Sequence, residues 1–258
     1  MEDSSGVPSG TAPRGPVDLR GPVHPRGLVD LRGPVHPRGL VDLRGRPGPP
    51  LLPTYGTDAV VVVCGLPGSG KSTLLRRWSP QAEVIDPRRT RTACEARMPR
   101  RIPYAAYRPY VRTLHFLRTR AAFRRPGPLL VHDCGTRWWM RRCLARWARR
   151  HGRELHVVLL AVTPADALAG QHARNRTTGG RVFRRHVRGL GRLLTALDRR
   201  GADALPGTAS VVLADAASRE RLAAVRFAPG GTAEGHPAAP REFPAAAAPA
   251  AVGSPDEL

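Results

Sequence analysis

The sequence predicts an α/β fold of three layers, with a parallel five-stranded sheet between helices. Short apolar runs alternate with segments of helical periodicity through the middle of the chain, which is the pattern of βαβ units. The first run, Ala59–Cys64, is continuous and mostly β-branched, as expected of a strand buried on both faces. The two ends of the chain are instead rich in Gly, Pro or Ala and lack this periodicity.

Composition divides the 258-residue chain into three parts. In residues 1–56 the hexapeptide R-G-[PL]-V-[DH]-[LP] occurs five times between Arg14 and Leu43, and its glycines and prolines predict disorder. Such a regular tract also fits upstream sequence read from a misassigned start codon, which mass spectrometry of the repeat peptides would test. Residues 57–227 are long enough to bury a core and are predicted to form the domain. Residues 228–258 form an Ala/Pro-rich tail that we also expect to be disordered.

The predicted elements follow in order from residue 59. A glycine-rich turn and a helix to about Trp78 come after the first strand, and Pro87 ends the short second strand, Glu83–Asp86. Thr163 and Pro164 open a helix, since threonine caps its start and proline fits its first turn. The other expected elements are strands at Leu129–Asp133, Leu155–Val162 and Ala209–Ala214, and helices around Tyr107–Ala121, Trp139–Trp147 and Val182–Arg199.

The turn after the first strand carries the strongest motif of the chain. It satisfies G-x-x-x-x-G-K-[ST] between a predicted strand and a predicted helix, as a phosphate-binding P-loop requires. Lys71 is the only lysine among 42 lysines and arginines, and we expect it to act catalytically on the β- and γ-phosphates, because a compact ammonium suits that role better than a planar guanidinium. The residues predicted to bind the nucleotide are Gly65, Leu66, Pro67, Gly68, Ser69, Gly70, Lys71, Ser72 and Thr73.

Ser72 and Asp133 are the predicted Mg²⁺ ligands. The Ser72 hydroxyl follows the lysine, and Asp133 ends an apolar strand at the sheet edge where the P-loop lies, which is typical of the carboxylate that holds the Mg²⁺ shell. Aspartate is also a common turn residue at a strand end, so a structural role stays open. His132 precedes Asp133, and strand alternation predicts that it points to the opposite face and packs.

Asp86 is a candidate catalytic base. It ends the second strand, and ligands of such sheets bind beyond the carboxyl ends of the strands. A carboxylate there can accept the proton of an acceptor hydroxyl during phosphoryl transfer. The alternative interpretation is an aspartate that caps the turn before Pro87.

An arginine-rich segment follows the fourth strand and has the composition of a lid. Such a segment can close over a nucleotide, exclude water and neutralise developing charge. Arg174 and Arg176 are the predicted catalytic arginines within it, and a solvated basic linker is the alternative interpretation. The arginines that flank the Gly179-Gly180 break are Arg174, Arg176, Arg181, Arg184 and Arg185.

Charge and cysteine content narrow the function classes. The formal net charge is +22, which favours polyanionic partners such as nucleotides and nucleic acid, although arginines on solvated helix faces explain it equally simply. The four cysteines form no C-x-x-C pair, and the first residues lack the pattern of a signal peptide. The apolar runs are too short to cross a bilayer, so we expect a reduced, cytoplasmic protein that does not bind membranes.

Taken together, these segments resemble the P-loop kinases grouped with polynucleotide kinase, zeta toxin and chloramphenicol phosphotransferase. They resemble more closely an actinobacterial branch of ATP-binding, AAA-family-like proteins. The similarity covers about residues 58–226, and it implies ATP and Mg²⁺ as cofactors, Asp86 at the position of the base, and Arg174 or Arg176 at the position of lid arginines. The segments that carry the resemblance are Gly65–Thr73, Val84–Asp86 with Arg88 and Arg89, Val131–Asp133, Leu159–Pro164 and Arg174–Arg176.

The sequence therefore predicts an ATP-dependent phosphotransferase or ATPase that acts on a hydroxyl acceptor of unknown identity. The alternative is a nucleotide-dependent switch or a nucleic-acid-associated module with little turnover. Tyr104, Tyr107 and Tyr110, interleaved with arginines, would suit stacking on single-stranded nucleic acid, although tyrosines at helical spacing are also typical of a core.

Overall fold

A six-stranded parallel sheet forms the centre of the molecule. The computed structural model describes residues 34–35, 37–175 and 177–229. Within them the strand order is β2-β8-β7-β4-β6-β5, and every neighbouring pair is parallel. The strands are β1 (Pro34–Val35), β2 (Gly39–Asp42), β3 (Leu52–Tyr55), β4 (Val60–Gly65), β5 (Glu83–Ile85), β6 (Leu129–His132), β7 (Leu155–Leu160), β8 (Ser210–Ala214) and β9 (Arg226–Phe227).

Helices connect the parallel strands, as crossover connections require. Short 3₁₀ turns, at Ser79–Gln81 and Gly201–Ala204, follow the helices that end at Trp78 and Arg200. The helices are α1 (Lys71–Trp78), α2 (Pro87–Glu95), α3 (Tyr104–Ala122), α4 (Trp138–Arg150), α5 (Pro164–His172), α6 (Gly180–Arg200) and α7 (Ala216–Arg221). The predicted three-layer α/β architecture with a parallel sheet is confirmed.

Strand β4 shows how the three layers are held together. All six of its residues are buried, because it lies between two other strands and is covered on both faces. Val60 and Val62 belong to an apolar cluster that includes side chains of α4 and α6, whereas Val61 and Val63 belong to a second cluster that includes α1. Because successive side chains of a strand point to opposite faces, the apolar run of β4 contributes to the apolar core on each side of the sheet.

The predicted number of strands is wrong by one. The sixth strand, β2, comes from the last copy of the hexapeptide, within the segment that we expected to be disordered, so the folded chain extends upstream of residue 57. This copy, Arg38–Leu43, reads R-G-L-V-D-L and lacks proline, so its backbone can pair along β8 from Gly39 opposite Ser210 to Asp42 opposite Leu213. Strand β3, Leu52–Tyr55, also lies within the segment expected to be disordered. Residues 1–33 and 230–258 lie outside the described residues, and their disorder stays a prediction.

Side chains at the end of β2 attach this copy to the body of the domain. Leu43 is only 1% exposed and belongs to the α1-side cluster. The guanidinium of Arg44 donates to both carboxylate oxygens of Asp42, and its Nη2 lies 3.0 Å from Oδ1 of Asp198 at the end of α6. The repeat thus supplies both apolar and ionic anchors that its composition alone does not indicate.

A small parallel sheet, β1-β3-β9, lies beside the main one. Tyr55 of β3 is fully buried, and its ring packs against those of His156 and Phe227. In the described part of the chain, no helix combines the length and the apolar character needed to span a bilayer.

Replacing Leu43 with alanine tests whether the last repeat copy is part of the fold. We expect Leu43→Ala to lower the free energy of unfolding by about 2–5 kcal/mol, because it leaves a cavity in a packed core. Urea unfolding measures the change. Leu168→Ala is the matched control: Leu168 is 39% exposed, so its loss should cost less than about 0.5 kcal/mol. Equal stability of the two variants would contradict the packing of β2 against the domain.

Candidate active site

The candidate catalytic and binding residues meet at the edge of the main sheet where the strands have their carboxyl ends. β4 leads into the glycine-rich turn, β5 ends before Asp86, and β6 ends at His132 just before Asp133. Because the strands are parallel neighbours, their ends lie side by side, which is where ligands of such sheets bind. The segments that sequence reasoning selected separately are therefore brought to one edge.

Three glycines allow the turn after β4 to wrap closely. Gly65, Gly68 and Gly70 have φ of 143°, 94° and 93°, a region that side-chain-bearing residues rarely occupy. A Cβ at Gly68 would also collide with the carbonyl oxygen of Ala167 on α5, so the turn packs directly on that helix. Gly70 precedes the first residue of α1, which leaves the amide groups of the helix N-terminus at the turn.

Lys71 is folded into this turn. It is only 7% exposed, and its Nζ donates to the carbonyl oxygens of Gly65 (2.9 Å) and Leu66 (2.6 Å). Burial lowers the pKa of Lys71 to about 8, while the nearby carboxylate of Asp133 acts in the opposite direction. An ammonium held this way is a poorly solvated cation that an anionic phosphate would stabilise.

Two residues that sequence reasoning missed hold the turn from outside. The amide of Gln171, which is 4% exposed, donates to the carbonyl of Pro67 at 3.1 Å and accepts from the backbone N–H of Thr178 at 2.7 Å. Arg219 of α7 donates to the carbonyl of Ser69 at 3.0 Å. Gln171 therefore joins the turn to the segment before α6. Neither residue belongs to a motif, so no sequence signal identifies these contacts.

Asp86 caps α2 and pairs with His132. Its Oδ1 accepts from the backbone N–H of Arg88 at 2.9 Å and lies 3.1 Å from Nδ1 of His132. Burial alone would raise the pKa of the Asp86 carboxyl, but the interactions with His132 and Arg88 together outweigh it, so the pKa lies below its usual value. His132 was predicted to pack on the opposite face; instead it contacts the candidate base.

An arginine-rich cleft lies between α1 and α2. Its volume is about 510 Å³, within the range of small-molecule sites. The cleft brings the hydroxyl of Ser72 together with the candidate base, Asp86, and one of the two predicted catalytic arginines, Arg174. The polar residues that line it include Ser72, Arg76, Asp86, Arg88, Arg89 and Arg174.

Asp133 lies in a neighbouring space. Its Oδ2 accepts from the backbone N–H of Gly135 at 2.8 Å, and it lines a second cavity, of about 540 Å³, rather than the cleft that Ser72 lines. Within the described residues, no three His, Cys, Asp or Glu side chains come together as a metal site. One carboxylate and one hydroxyl nevertheless suit Mg²⁺, which takes few protein ligands and completes its shell with waters and phosphate oxygens.

The predicted lid is only partly positioned near the turn. Arg174 follows α5, and its Nη2 lies 3.4 Å from the hydroxyl of Thr73, so this arginine reaches the end of the P-loop. Arg181, Arg184 and Arg185 lie exposed on the first turns of α6. Arg176 lies outside the described residues.

Comparison with known proteins points to one family. A family model described as an AAA domain matches residues 60–197, which is more than half of the 258-residue chain. A search of the curated proteins finds no match. Among solved structures, similarity extends to a proposed kinase from Chloroflexus aurantiacus J-10-fl, with 10% identity, a TM-score of 0.45, and coverage of 64% of this chain and 91% of that one.

Two further solved structures are similar at comparable levels. The tunicamycin resistance protein of Deinococcus radiodurans has 17% identity and a TM-score of 0.41, with coverage of 64% of this chain and 94% of that one. A gluconokinase from Sinorhizobium meliloti 1021 has 17% identity and a TM-score of 0.36, with coverage of 66% of this chain and 91% of that one.

The depressed pKa of Lys71 predicts a pH dependence of stability without ligand. Because the pKa falls from 10.5 to about 8 on folding, the unfolded chain binds more protons than the folded one between these values, and stability rises with pH there. Relative to Lys71→Met, the wild-type protein should gain about 2 kcal/mol of unfolding free energy between pH 7.5 and pH 9.5. Urea unfolding of both proteins at both pH values measures this difference, and titration of other groups cancels. If the wild-type protein and Lys71→Met differed in unfolding free energy by the same amount at pH 7.5 and at pH 9.5, the burial of a charged Lys71 would be contradicted.

Proposed function

We propose that this chain, which belongs to the AAA-domain family whose model matches residues 60–197, transfers the γ-phosphate of ATP to a hydroxyl acceptor. The observation that carries this proposal is the shared cleft. Ser72, Asp86 and Arg174 line one space between α1 and α2, so a nucleotide-binding hydroxyl, a candidate base and a cation border the same volume.

In this proposal the P-loop, Gly65–Thr73, holds the phosphates of ATP. The positive-φ glycines let the backbone approach the phosphates, and the N-terminus of α1 adds its positive dipole end. The ammonium of Lys71 exchanges the carbonyls of Gly65 and Leu66 for phosphate oxygens, and its pKa then rises because it gains an anionic partner. Ser72 and Asp133 would hold Mg²⁺, which supplies neutralisation of phosphate charge when bound.

Asp86 receives the proton of the acceptor. As the new P–O bond forms between the acceptor oxygen and the γ-phosphorus, the bond from that phosphorus to the β–γ bridging oxygen breaks, ADP leaves, and the hydroxyl proton moves to the Asp86 carboxylate. The hydrogen bond between Nδ1 of His132 and Oδ1 of Asp86 supports this role, because it orients the carboxylate. Arg174, and Arg176 by the same reasoning from sequence, stabilise the charge that develops on the transferred group.

A second candidate function is nucleic-acid association with little turnover. Trp138 and Tyr110 are 62% and 54% exposed, and the guanidinium of Arg142 lies 5.4 Å from the ring centroid of Trp138. Exposed aromatic rings among arginines suit stacking on single-stranded bases. Binding to DNA or RNA that weakens steeply with salt, without a phosphorylated product, would favour this alternative.

Removal of the P-loop lysine tests the nucleotide site. We expect Lys71→Ala to abolish magnesium-dependent binding of ATP, because the turn loses its buried ammonium group, and isothermal titration calorimetry measures the affinity. Arg77→Ala is a suitable control: Arg77 lies on the same helix but pairs with Glu220 at 2.9 Å, so its loss should leave ATP binding intact. Unchanged ATP affinity in Lys71→Ala would refute the assignment of the nucleotide site.

Removal of the Asp86 charge tests the base. Asparagine preserves the cap of α2, so Asp86→Asn should fold normally while transfer of label from γ-labelled ATP to acceptors falls by about 10²–10⁴-fold. Circular dichroism verifies the fold, and ATP calorimetry verifies the nucleotide site. Asp203→Asn, at an exposed carboxylate, serves as the control. Labelling that survives in Asp86→Asn at the wild-type rate would assign the base elsewhere.

A further inference from the structure

We propose that a groove between α4 and α6 binds an aliphatic carboxylic acid, with its hydrocarbon chain between the two helices and its carboxylate at Arg146 and Arg149. The groove is the cavity of about 540 Å³ that Asp133 borders at one end. The proposed phosphoryl transfer does not use the rest of this cavity, so the site adds a second ligand to the protein.

The groove has an apolar floor and apolar walls. Its floor is formed by Val62 and Cys64 of β4 and by Leu155 and Val157 of β7, which are neighbouring strands of the main sheet. The apolar side chains of its walls are Leu144 and Ala145 on α4, Leu193 on α6, and Ala204, Leu205 and Pro206 after α6. A cavity of this volume with apolar walls and a few polar groups is typical of a small-molecule site.

The sequence of α4 explains why side chains leave the groove open. The large apolar residues of the helix, including Met140 and Trp147, are buried in the core. Ala145 borders the groove with a single methyl group, and the residues three before it and four after it, which share its face, are Arg142 and Arg149. The face of α4 that borders the groove therefore combines a short apolar side chain with long cationic ones.

Four arginines of α4 line the groove, and two of them are engaged within the protein. Arg141 donates to a backbone carbonyl in the turn after β6, and the guanidinium of Arg142 lies 5.4 Å from the ring centroid of Trp138. In the part of the chain that the structure describes, Arg146 and Arg149 form no ion pair with a carboxylate. These two are three residues apart on one helix, so both can reach the same anion.

The direction of α4 places this pair away from the nucleotide site. The helix begins near the carboxyl end of β6 and ends shortly before β7, so Arg149 lies near Leu155 at the opposite edge of the sheet from Asp133. Asp133 is the only acidic residue among the described lining, and it repels a carboxylate toward Arg146 and Arg149. Asp203 is exposed and does not line the groove.

The shape and the lining of the groove indicate an elongated ligand with one charged end. The residues of α4 that line it extend from Trp138 to Arg149, which corresponds to roughly 16 Å along a helix. Apolar walls disfavour a ligand that is polar along its length, because its polar groups would lack partners. Arginine stems can pack along a hydrocarbon chain while their guanidinium groups bind a carboxylate.

Calorimetry with decanoate tests the inference, in the absence of ATP and below the concentration at which decanoate forms micelles. The comparison probes are acetate, which lacks the chain, 1-decanol, which lacks the charge, and decyltrimethylammonium, which reverses the charge. We expect one saturable site for decanoate and at least tenfold weaker binding of each other probe. Since ATP is absent, the outcome does not depend on whether the protein is a phosphotransferase.

Variants of α4 test the two halves of the site separately. Arg146→Gln and Arg149→Gln should each weaken decanoate binding about tenfold, because each removes a charged donor. Arg150→Gln is the matched control, since Arg150 is exposed on the same helix but does not line the groove. Ala145→Met should weaken binding at least tenfold, because the flexible side chain can fill the groove, and circular dichroism verifies its fold.

Several results would overturn the inference. An equal loss of affinity in Arg150→Gln and in the groove variants would show attraction to the net charge of the protein alone. Equal binding of 1-decanol and decanoate would remove the role of the arginines, and unchanged decanoate affinity in a folded Ala145→Met protein would place the chain elsewhere. Without saturable binding of decanoate to the wild-type protein, the site itself would be refuted.

Discussion

The burial of one ammonium group among the carbonyls of its own turn is the feature on which the rest of the site depends. Lys71 can enter that position only because Gly65, Gly68 and Gly70 take backbone conformations that other residues avoid, and because the turn packs on α5 without intervening side chains. Desolvation brings the pKa of the lysine to about 8, so the unliganded turn carries a cation that is poorly compensated. An anionic phosphate bound at this turn, as proposed for the nucleotide, would relieve this cost.

The parallel sheet then brings the remaining groups to that turn. Strands β4, β5 and β6 end at one edge, so Lys71, Asp86 and Asp133 become neighbours although they are far apart along the chain. Contacts beyond the motifs stabilise the arrangement: Gln171 bonds to the turn and to the segment before α6, and His132 bonds to Asp86. One buried amide therefore links that segment to the backbone of the glycine-rich turn.

Arginine has several separate roles in this chain, and pairing distinguishes them. Arg44 is almost buried and holds the repeat strand to the end of α6 through Asp42 and Asp198. Arg77 and Arg91 form exposed ion pairs, which contribute little to stability. Arg76 and Arg89 face a cleft with a single carboxylate. The arginines of this chain therefore fill different roles, from structural ion pairs to the lining of the cleft.

The sequence by itself determined the layers and the glycine-rich turn, because the apolar run of β4 and the glycine spacing before Lys71 are local features whose physical requirements a short segment satisfies alone. It also identified Asp86 and Asp133 as strand-end carboxylates. Only the tertiary structure decided that the last repeat copy joins the main sheet, since its pairing with β8 involves residues about 170 positions away. The tertiary structure also decided the contact of His132 with Asp86 and the division of arginines between cleft and surface. Each depends on a side chain that another element presents, and no local sequence pattern encodes it.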